Sequence, residues 1–234
     1  MSKIDLKRIA IIPAKSFSRR LKNKNTKNFF GKPIIQYTIK NLIKSKLFCK
    51  IHISTDSMKI AKIGIKNNIP YDFLRTKRLC NNKAGVIEVI NWIIKQFERK
   101  NINFDTICLA YPMAPLIHEN DFIKACKLFE KSKKKFPLAA VCKFKPSIDE
   151  ALVLKKGILF PNNKSFFKDS KTYKKYYFQT GDFIFFSNKF FKKKYKKNDL
   201  RFYPYVLPTT KSLDINNIED FKLTKNFYKL NKAF

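Results

Sequence analysis

The sequence predicts an α/β fold in which one mainly parallel sheet is covered by helices on both faces. Three observations carry this. Apolar, β-branched runs of strand length alternate with amphipathic segments of helix length from position 8 to position 134, the pattern of βαβ units. The first apolar run opens straight into a cationic loop, at the carboxyl edge where open α/β sheets bind ligands. After about position 138 the alternation gives way to short strands joined by turns, the mark of a hairpin-bearing excursion.

Each element follows from its own residues. Arg8, Ile9, Ala10, Ile11, Ile12 and Pro13 form a buried first strand, and Phe30-Gly31-Lys32-Pro33 supplies a turn before a helix at about 33–46. Pro33 suits the first turn of that helix, because its missing N–H has no intrahelical partner there. A strand at 50–55 precedes a helix at about 57–67 that Asp56 or Ser57 can cap. A short strand near 71–74 precedes a helix at about 86–99, and a strand at 105–111 precedes one near 119–134. Strands follow at 138–145, 151–155 and 158–160, the last two joined at Lys156-Gly157. A lysine-rich loop (162–175) leads to an aromatic strand at 176–186, then a strand at 202–207 and a closing helix at 217–230. The expected organisation is a single domain, 1–234, whose excursion at about 140–185 carries exposed aromatics suited to a subunit interface.

Composition narrows the class. At 234 residues and 44% apolar content the chain can bury a proper core. No run reaches the ~20 apolar residues of a membrane span, and the start lacks a signal-peptide core. Cys49, Cys80, Cys108, Cys126 and Cys142 form no C-x-x-C pair, which disfavours zinc and a disulfide framework and fits a reducing cytoplasm. The formal net charge of +34 is mostly lysine; arginine occurs only at 8, 19, 20, 75, 78, 99 and 201. Nucleic-acid recognition favours clustered arginine and aromatic platforms on one face. Here lysine is spread over every segment, so the charge reads as a solvated surface with no specific nucleic-acid partner.

The loop after the first strand carries the chemistry. Lys15, Ser18, Arg19, Arg20, Lys22 and Lys24 lie where a parallel sheet presents its ligand edge, and clustered Lys and Arg there suit a polyphosphate. No Walker A sequence is present, and His52 and His118 give little support to a histidine-dependent hydrolase.

Several segments together resemble one family. Residues 15–25 resemble the I-P-A-R-x-G-S-K signature, with its following K-N, of the cytidylyltransferases that activate nine-carbon keto-sugar acids. Gly31-Lys32-Pro33-Ile34-Ile35, Ile53-Ser54-Thr55-Asp56-Ser57 and Phe73-Leu74-Arg75 follow in the family's order. Tyr111-Pro112-Met113-Ala114-Pro115 resembles the form found in pseudaminic acid enzymes, and Gly181 with Ser212-Leu213-Asp214-Ile215-Asn216 matches the later elements. The resemblance implies a three-layer nucleotide-diphospho-sugar transferase-like fold with a dimerising hairpin. It implies a cytoplasmic, Mg²⁺-dependent enzyme whose partners are CTP, a nine-carbon keto-sugar acid and a second copy of the chain.

On the matching positions, the resemblance assigns catalysis to Lys15, Arg19 and Lys24. Nucleotide binding falls to Ala14, Ser18, Arg20, Asn25, Arg75, Ala84 and Tyr111, with Asn25 holding the loop or reaching the nucleotide. Base selectivity is expected around Arg75 and positions 82–86. Gln179, Thr180 and Asp182 would contact the sugar, and Asp214 with Asn216 would hold Mg²⁺, whose preferred ligands are oxygens. Four positions depart from the pattern: Lys15 stands for arginine, Phe17 for glycine, Val86 for a hydroxyl residue and Asn216 for aspartate. Two alternatives stay open: a homologue that keeps the fold without catalysis, and a basic nucleic-acid binder.

Overall fold

The computed structural model describes residues 7–81, 84–192 and 200–233. Its strands are β1 (Arg8–Pro13), β2 (Asn28–Phe29), β3 (Lys32–Pro33), β4 (Lys50–Ser54), β5 (Thr106–Ala110), β6 (Leu138–Lys143), β7 (Leu152–Lys155), β8 (Ile158–Pro161), β9 (Tyr177–Ser187) and β10 (Tyr203–Val206). Its helices are α1 (Ile35–Ser45), α2 (Met58–Ile65), α3 (Lys77–Cys80), α4 (Val86–Glu98), α5 (Glu119–Lys131), α6 (Asn188–Lys192) and α7 (Ile218–Ala233). Six strands form one sheet in the order β10-β6-β9-β5-β1-β4. The β4–β1, β1–β5 and β6–β10 pairs are parallel, whereas β9 runs antiparallel to both β5 and β6.

Side-chain alternation along β1 builds the layers. Ala10 and Ile12 face a core shared with α1, α2 and α5, while Ile9 and Ile11 face a second core shared with α3, α4 and α6. Strand residues buried on both faces need no polar alternation, and Ile9 through Ile12 are fully buried. Helix α1 presents Ile35, Ile39 and Leu42 to the first core at helical spacing. Burying each such side chain contributes about 1.5–3 kcal/mol. Helix α4 presents Val89, Ile90, Ile93, Ile94 and Phe97 to the second.

A third, smaller core matters most for the site. Leu21 from the cationic loop packs with Phe29, Ile34, Met113, Ile215 and Phe221. This cluster fastens the C-terminal helix α7 and the turn before it over the loop that follows β1. Phe29 stands at its centre, with edge-on ring contacts to Tyr37, Phe221 and Tyr228 at 5.1–5.7 Å.

Several expectations shift at this level. Pro33 lies in the two-residue strand β3, paired with Asn28, so α1 starts at Ile35. The intervening residues Phe30 and Gly31 have φ of 47° and 80°, the geometry of a tight hairpin turn. Segment 71–74 forms no strand. Pro70 precedes it without an N–H to offer, and its tie to β4 is through side chains: Asp72 meets His52 Nδ1 at 3.0 Å and also pairs with Lys50. Ser57 occupies the cap position of α2 without a side-chain cap bond, while Asp56 bonds elsewhere. Strands β7 and β8 form a separate hairpin that turns at Lys156-Gly157, and all eight of their residues are exposed.

Candidate active site

At the carboxyl edge of β1 the chain enters a cleft of about 440 Å³. Lys15, Ser18, Arg19, Arg20, Lys24 and Asn25 line one side, all from the loop between β1 and β2. Tyr111, Pro112 and Met113, directly after β5, form the floor beside Pro13. Asp214 and Gly181 close the other side. Lys15, Arg19, Arg20 and Lys24 therefore share one cavity with the carboxylate at 214, which lies near the opposite end of the chain, whereas Lys22 lines a separate cavity with Asn23 and Lys59.

The loop is held by specific bonds. Asn25 is buried, and its side-chain amide donates to the backbone carbonyl of Lys15 at 2.8 Å, tying the end of the loop to its beginning. The bond shows the first of the two roles expected for Asn25, holding the loop, and Asn25 also lines the cleft. The Ser16 N–H and hydroxyl both donate to the Asp56 carboxylate, each at 2.7 Å. Asn23 adopts φ 55°, the left-handed turn from which the short helical turn Lys24–Thr26 starts. Phe17 lines the cleft but is 64% exposed, and it is not among the residues with positive φ. Its backbone thus carries no conformation that only glycine favours.

Cations and carboxylates act on one another across the cleft. Burial lowers the Lys24 pKa and the nearby Arg20 lowers it further, whereas Asp214 and Asp220 pull the other way. Burial, with the Asp214 charge beside it, raises the Tyr111 phenol above its ordinary value, so it stays a hydrogen-bond donor. Asp214 Oδ2 accepts from Asn216 Nδ2 at 2.8 Å. Capping of α7 belongs to other residues: Asp220 accepts from the N–H groups of Asn216 and Asn217, and Asn217 accepts from that of Asp220. Asp214 is free of that duty and exposed to the cleft. A carboxylate and a neighbouring side-chain amide are the hard oxygen donors that Mg²⁺ takes, so the residues present fit that ion. Gly181 sits against Asp214 with φ 71°, and a Cβ there would lie 3.6 Å from the Asp214 carboxyl carbon.

Other expected site residues lie away from the cleft wall. Ala14 is fully buried, and its N–H is spent on Ser54 O at 2.9 Å. Arg75 is buried as well, donating from Nε to Ser54 Oγ at 3.0 Å and from Nη2 to Ser54 O at 2.6 Å. It braces the end of β4 and does not open to the cleft. Ala84 packs half-buried against the α4-side core, with Val86; positions 82 and 83 of the expected base-selectivity segment lie outside the described residues. Thr180 is buried and donates to Ala140 O at 3.3 Å. Asp182 is buried behind Gly181 with Oδ2 unpartnered. Burial, with Asp214 and Asp121 adding to it and the Thr180 bond opposing, pushes its pKa up to about 8. A sugar cannot contact Thr180 or Asp182 without displacing this wall; Gln179 alone of the three is exposed. Sequence reasoning passed over Ser16 and the loop-holding role of Asp56, although the Ser54-Thr55-Asp56 motif directly after a strand was the available signal.

Known proteins share this architecture. Residues 9–234 match the family model described as Cytidylyltransferase. The chain is 31% identical to a pseudaminic acid cytidylyltransferase of Campylobacter jejuni, over 97% of this chain and 98% of the relative. It is 27% identical to the CMP-N,N'-diacetyllegionaminic acid synthase of Legionella pneumophila, over 96% and 97%. A solved CMP:2-keto-3-deoxy-manno-octonic acid synthetase complexed with CTP superposes with a TM-score of 0.71 at 11% identity, covering 96% of this chain and 99% of that one.

Proposed function

The chain belongs to the cytidylyltransferase family, and from that premise we propose that it activates a nine-carbon keto-sugar acid of the pseudaminic acid type with CTP, giving the CMP-sugar and pyrophosphate. The observation that carries this reading is the meeting of Lys15, Arg19, Arg20 and Lys24 with Asp214 around one cleft. Relatives similar over nearly their whole length act, by name, on pseudaminic and legionaminic acids.

In such a transfer the sugar hydroxyl attacks the α-phosphorus and pyrophosphate leaves, so negative charge grows on the phosphoryl oxygens. Positioning and charge stabilisation supply most of the catalysis. Lys15, Arg19 and Lys24 neutralise the triphosphate, Ser18 adds a hydroxyl donor, and Arg20 adds a further positive charge beside Lys24. Tyr111, a phenol at all physiological pH, donates from the floor of the cleft. Asp214 and the Asn216 amide oxygen would hold Mg²⁺, which would supply screening of the triphosphate charge. Gln179, exposed on β9 two residues before Gly181, is assigned to the sugar.

The exposed apolar residues of the β7–β8 hairpin, among them Leu154 at 66% and Ile158 at 61%, support a homodimer formed through that hairpin, since contiguous apolar exposure marks an association surface. Among the described residues no helix is long and apolar enough to cross a membrane, and we place the enzyme in the cytoplasm, where CTP is made available. The deciding experiment incubates the protein with CTP, Mg²⁺ and pseudaminic acid and measures pyrophosphate and CMP-sugar. Product that depends on Asp214 supports the proposal. No product with any nine-carbon keto acid at saturating Mg²⁺ overturns it.

A further inference from the structure

We infer that Asp56 is a positioning residue for the transfer, holding the cationic loop in its ligand-binding shape through Ser16. The inference rests on the reading of that loop as the triphosphate site, and it gives the Ser54-Thr55-Asp56 motif a physical task.

The two segments come from neighbouring strands. β1 and β4 are parallel partners, with Pro13 opposite Ser54, so both strands end at the same edge. The chain after β1 becomes the cationic loop, and the chain after β4 becomes the motif. Ala14 N donates to Ser54 O at 2.9 Å, continuing the ladder one step beyond the strands. Past that step regular pairing stops, and the Asp56 carboxylate takes over. Its Oδ1 accepts the Ser16 N–H and its Oδ2 the Ser16 hydroxyl, both at 2.7 Å. Such short bonds to an ionised acceptor are roughly twice as strong as neutral ones.

The carboxylate is itself braced. Arg75 N donates to Thr55 O at 2.7 Å, and the Arg75 guanidinium grips both the carbonyl and the hydroxyl of Ser54. Thr55 Oγ1 accepts from Ser57 N at 3.1 Å and is buried with the rest of Thr55, so residues 54–57 are fixed before the loop touches them. Burial would push Asp56 up, but the Ser16 bonds and the Arg75 charge outweigh it and keep the carboxyl ionised. Asn25 then closes the far end of the loop onto Lys15, the residue before Ser16. Lys15 is thus flanked on both sides: its carbonyl is held by Asn25 and the next residue by Asp56.

The need for such a device follows from charge. The loop gathers Lys15, Arg19, Arg20 and Lys24 around one cleft, and these cations repel one another until a polyanion arrives. A loop left to itself would spread, and the entropy of gathering it would be charged against ligand affinity. Asp56 supplies an anchor at Ser16, whose N–H and hydroxyl both donate to its carboxylate, so the loop is held at a residue that carries no charge.

The test uses the full chain with Ser16→Ala, Asp56→Ala and the double variant, each measured for CTP affinity, steady-state kinetics and amide hydrogen exchange across 15–20. Asp56→Ala is expected to weaken CTP binding roughly tenfold or more and to speed exchange at the Ser16 amide. KM for the sugar should stay within about twofold. The double variant should be no weaker than Asp56→Ala alone, because both changes break the same contact. Additive losses, or a folded Asp56→Ala protein that binds CTP as wild type does, overturn the inference. Should Asp56→Ala not fold, Ser16→Ala, which deletes only an exposed hydroxyl, still decides: unchanged CTP affinity counts against a role for the Oδ2 bond. If wild type binds no CTP, the proposed function fails, while exchange at Ser16 still judges the clamp by itself.

Discussion

The side-chain amide of Asn25 and the backbone carbonyl of Lys15 lie 2.8 Å apart, and that single bond closes the cationic stretch from Lys15 to Asn25 into a ring of donors. Asn25 is buried at 9% exposure, so a side chain that cannot donate would leave the Lys15 carbonyl without its partner. Asn25→Asp is expected to lower the transfer rate at least tenfold, because a carboxylate would face the carbonyl with like partial charge. Pyrophosphate release, measured beside CTP affinity, checks this. Unaltered rates would remove the ring from the account.

Asp214→Ala should abolish measurable transfer while leaving the melting temperature within a degree or two. The side chain is exposed and takes no part in capping α7, and surface changes of that kind move stability by about 0.5 kcal/mol or less. Paired thermal melts and product assays separate the two effects.

Asn216→Asp is expected to lower the Mg²⁺ concentration needed for half-maximal rate. The amide now donates to Asp214 Oδ2, which holds one carboxylate oxygen away from a cation and adds no charge of its own. A second carboxylate frees that oxygen and adds a negative charge. A titration of rate against Mg²⁺ tests it, and an unchanged midpoint would argue that position 216 does not face the ion.

Arg75→Ala should destabilise the chain by about 2–3 kcal/mol, the range for charge-assisted bonds lost from a buried group. Its guanidinium makes two bonds to Ser54 and is only 7% exposed. Urea unfolding measures the loss. A variant that weakened CTP binding with no change in stability would return Arg75 to the nucleotide.

Acid should loosen the β4 edge before it reaches the ordinary carboxylate range. Burial holds His52 neutral and lowers its pKa below 6.5, outweighing the opposite pull of Asp72. The unfolded chain therefore takes up a proton that the folded one refuses, so the stabilisation is complete above about pH 6.5 and shrinks as pH falls below it. Asp72, which burial alone would raise, is held below its usual value by bonds from His52 and Lys50, and its contribution is lost only at still lower pH. Melting temperature followed from pH 7.5 to 5 should fall in wild type and fall less in His52→Gln.

Much of the layer structure could be read in advance, because a strand such as β1, buried on both faces, must be an unbroken apolar run. The cationic loop was legible for the same reason: six charged or hydroxyl side chains directly after such a run have few places to go. Segment 71–74 defeated the reading, since its apolar and aromatic residues satisfy strand propensity while its contacts with β4 come from Asp72 and Phe73 side chains. The family resemblance assigns Arg75, Thr180 and Asp182 to ligands by their positions in the matched motifs. Their burial depends on which neighbours the sheet brings over them, and polar residues carry no sequence mark of that. Asp56 was read as a helix cap because the local offset to α2 is right; its actual partner, Ser16, lies on another strand's continuation, and only the parallel register reveals it.

The packing of Leu21 against Ile215 has a further consequence for how the molecule acquires its chemistry. The donors are encoded near one end of the chain and their counter-charge near the other, so the catalytic geometry is among the longest-range pairings in the molecule. Ordering of distant segments is slow compared with local structure. A refolding chain should therefore regain helical signal first and nucleotide affinity last, when the tail finally settles onto the head.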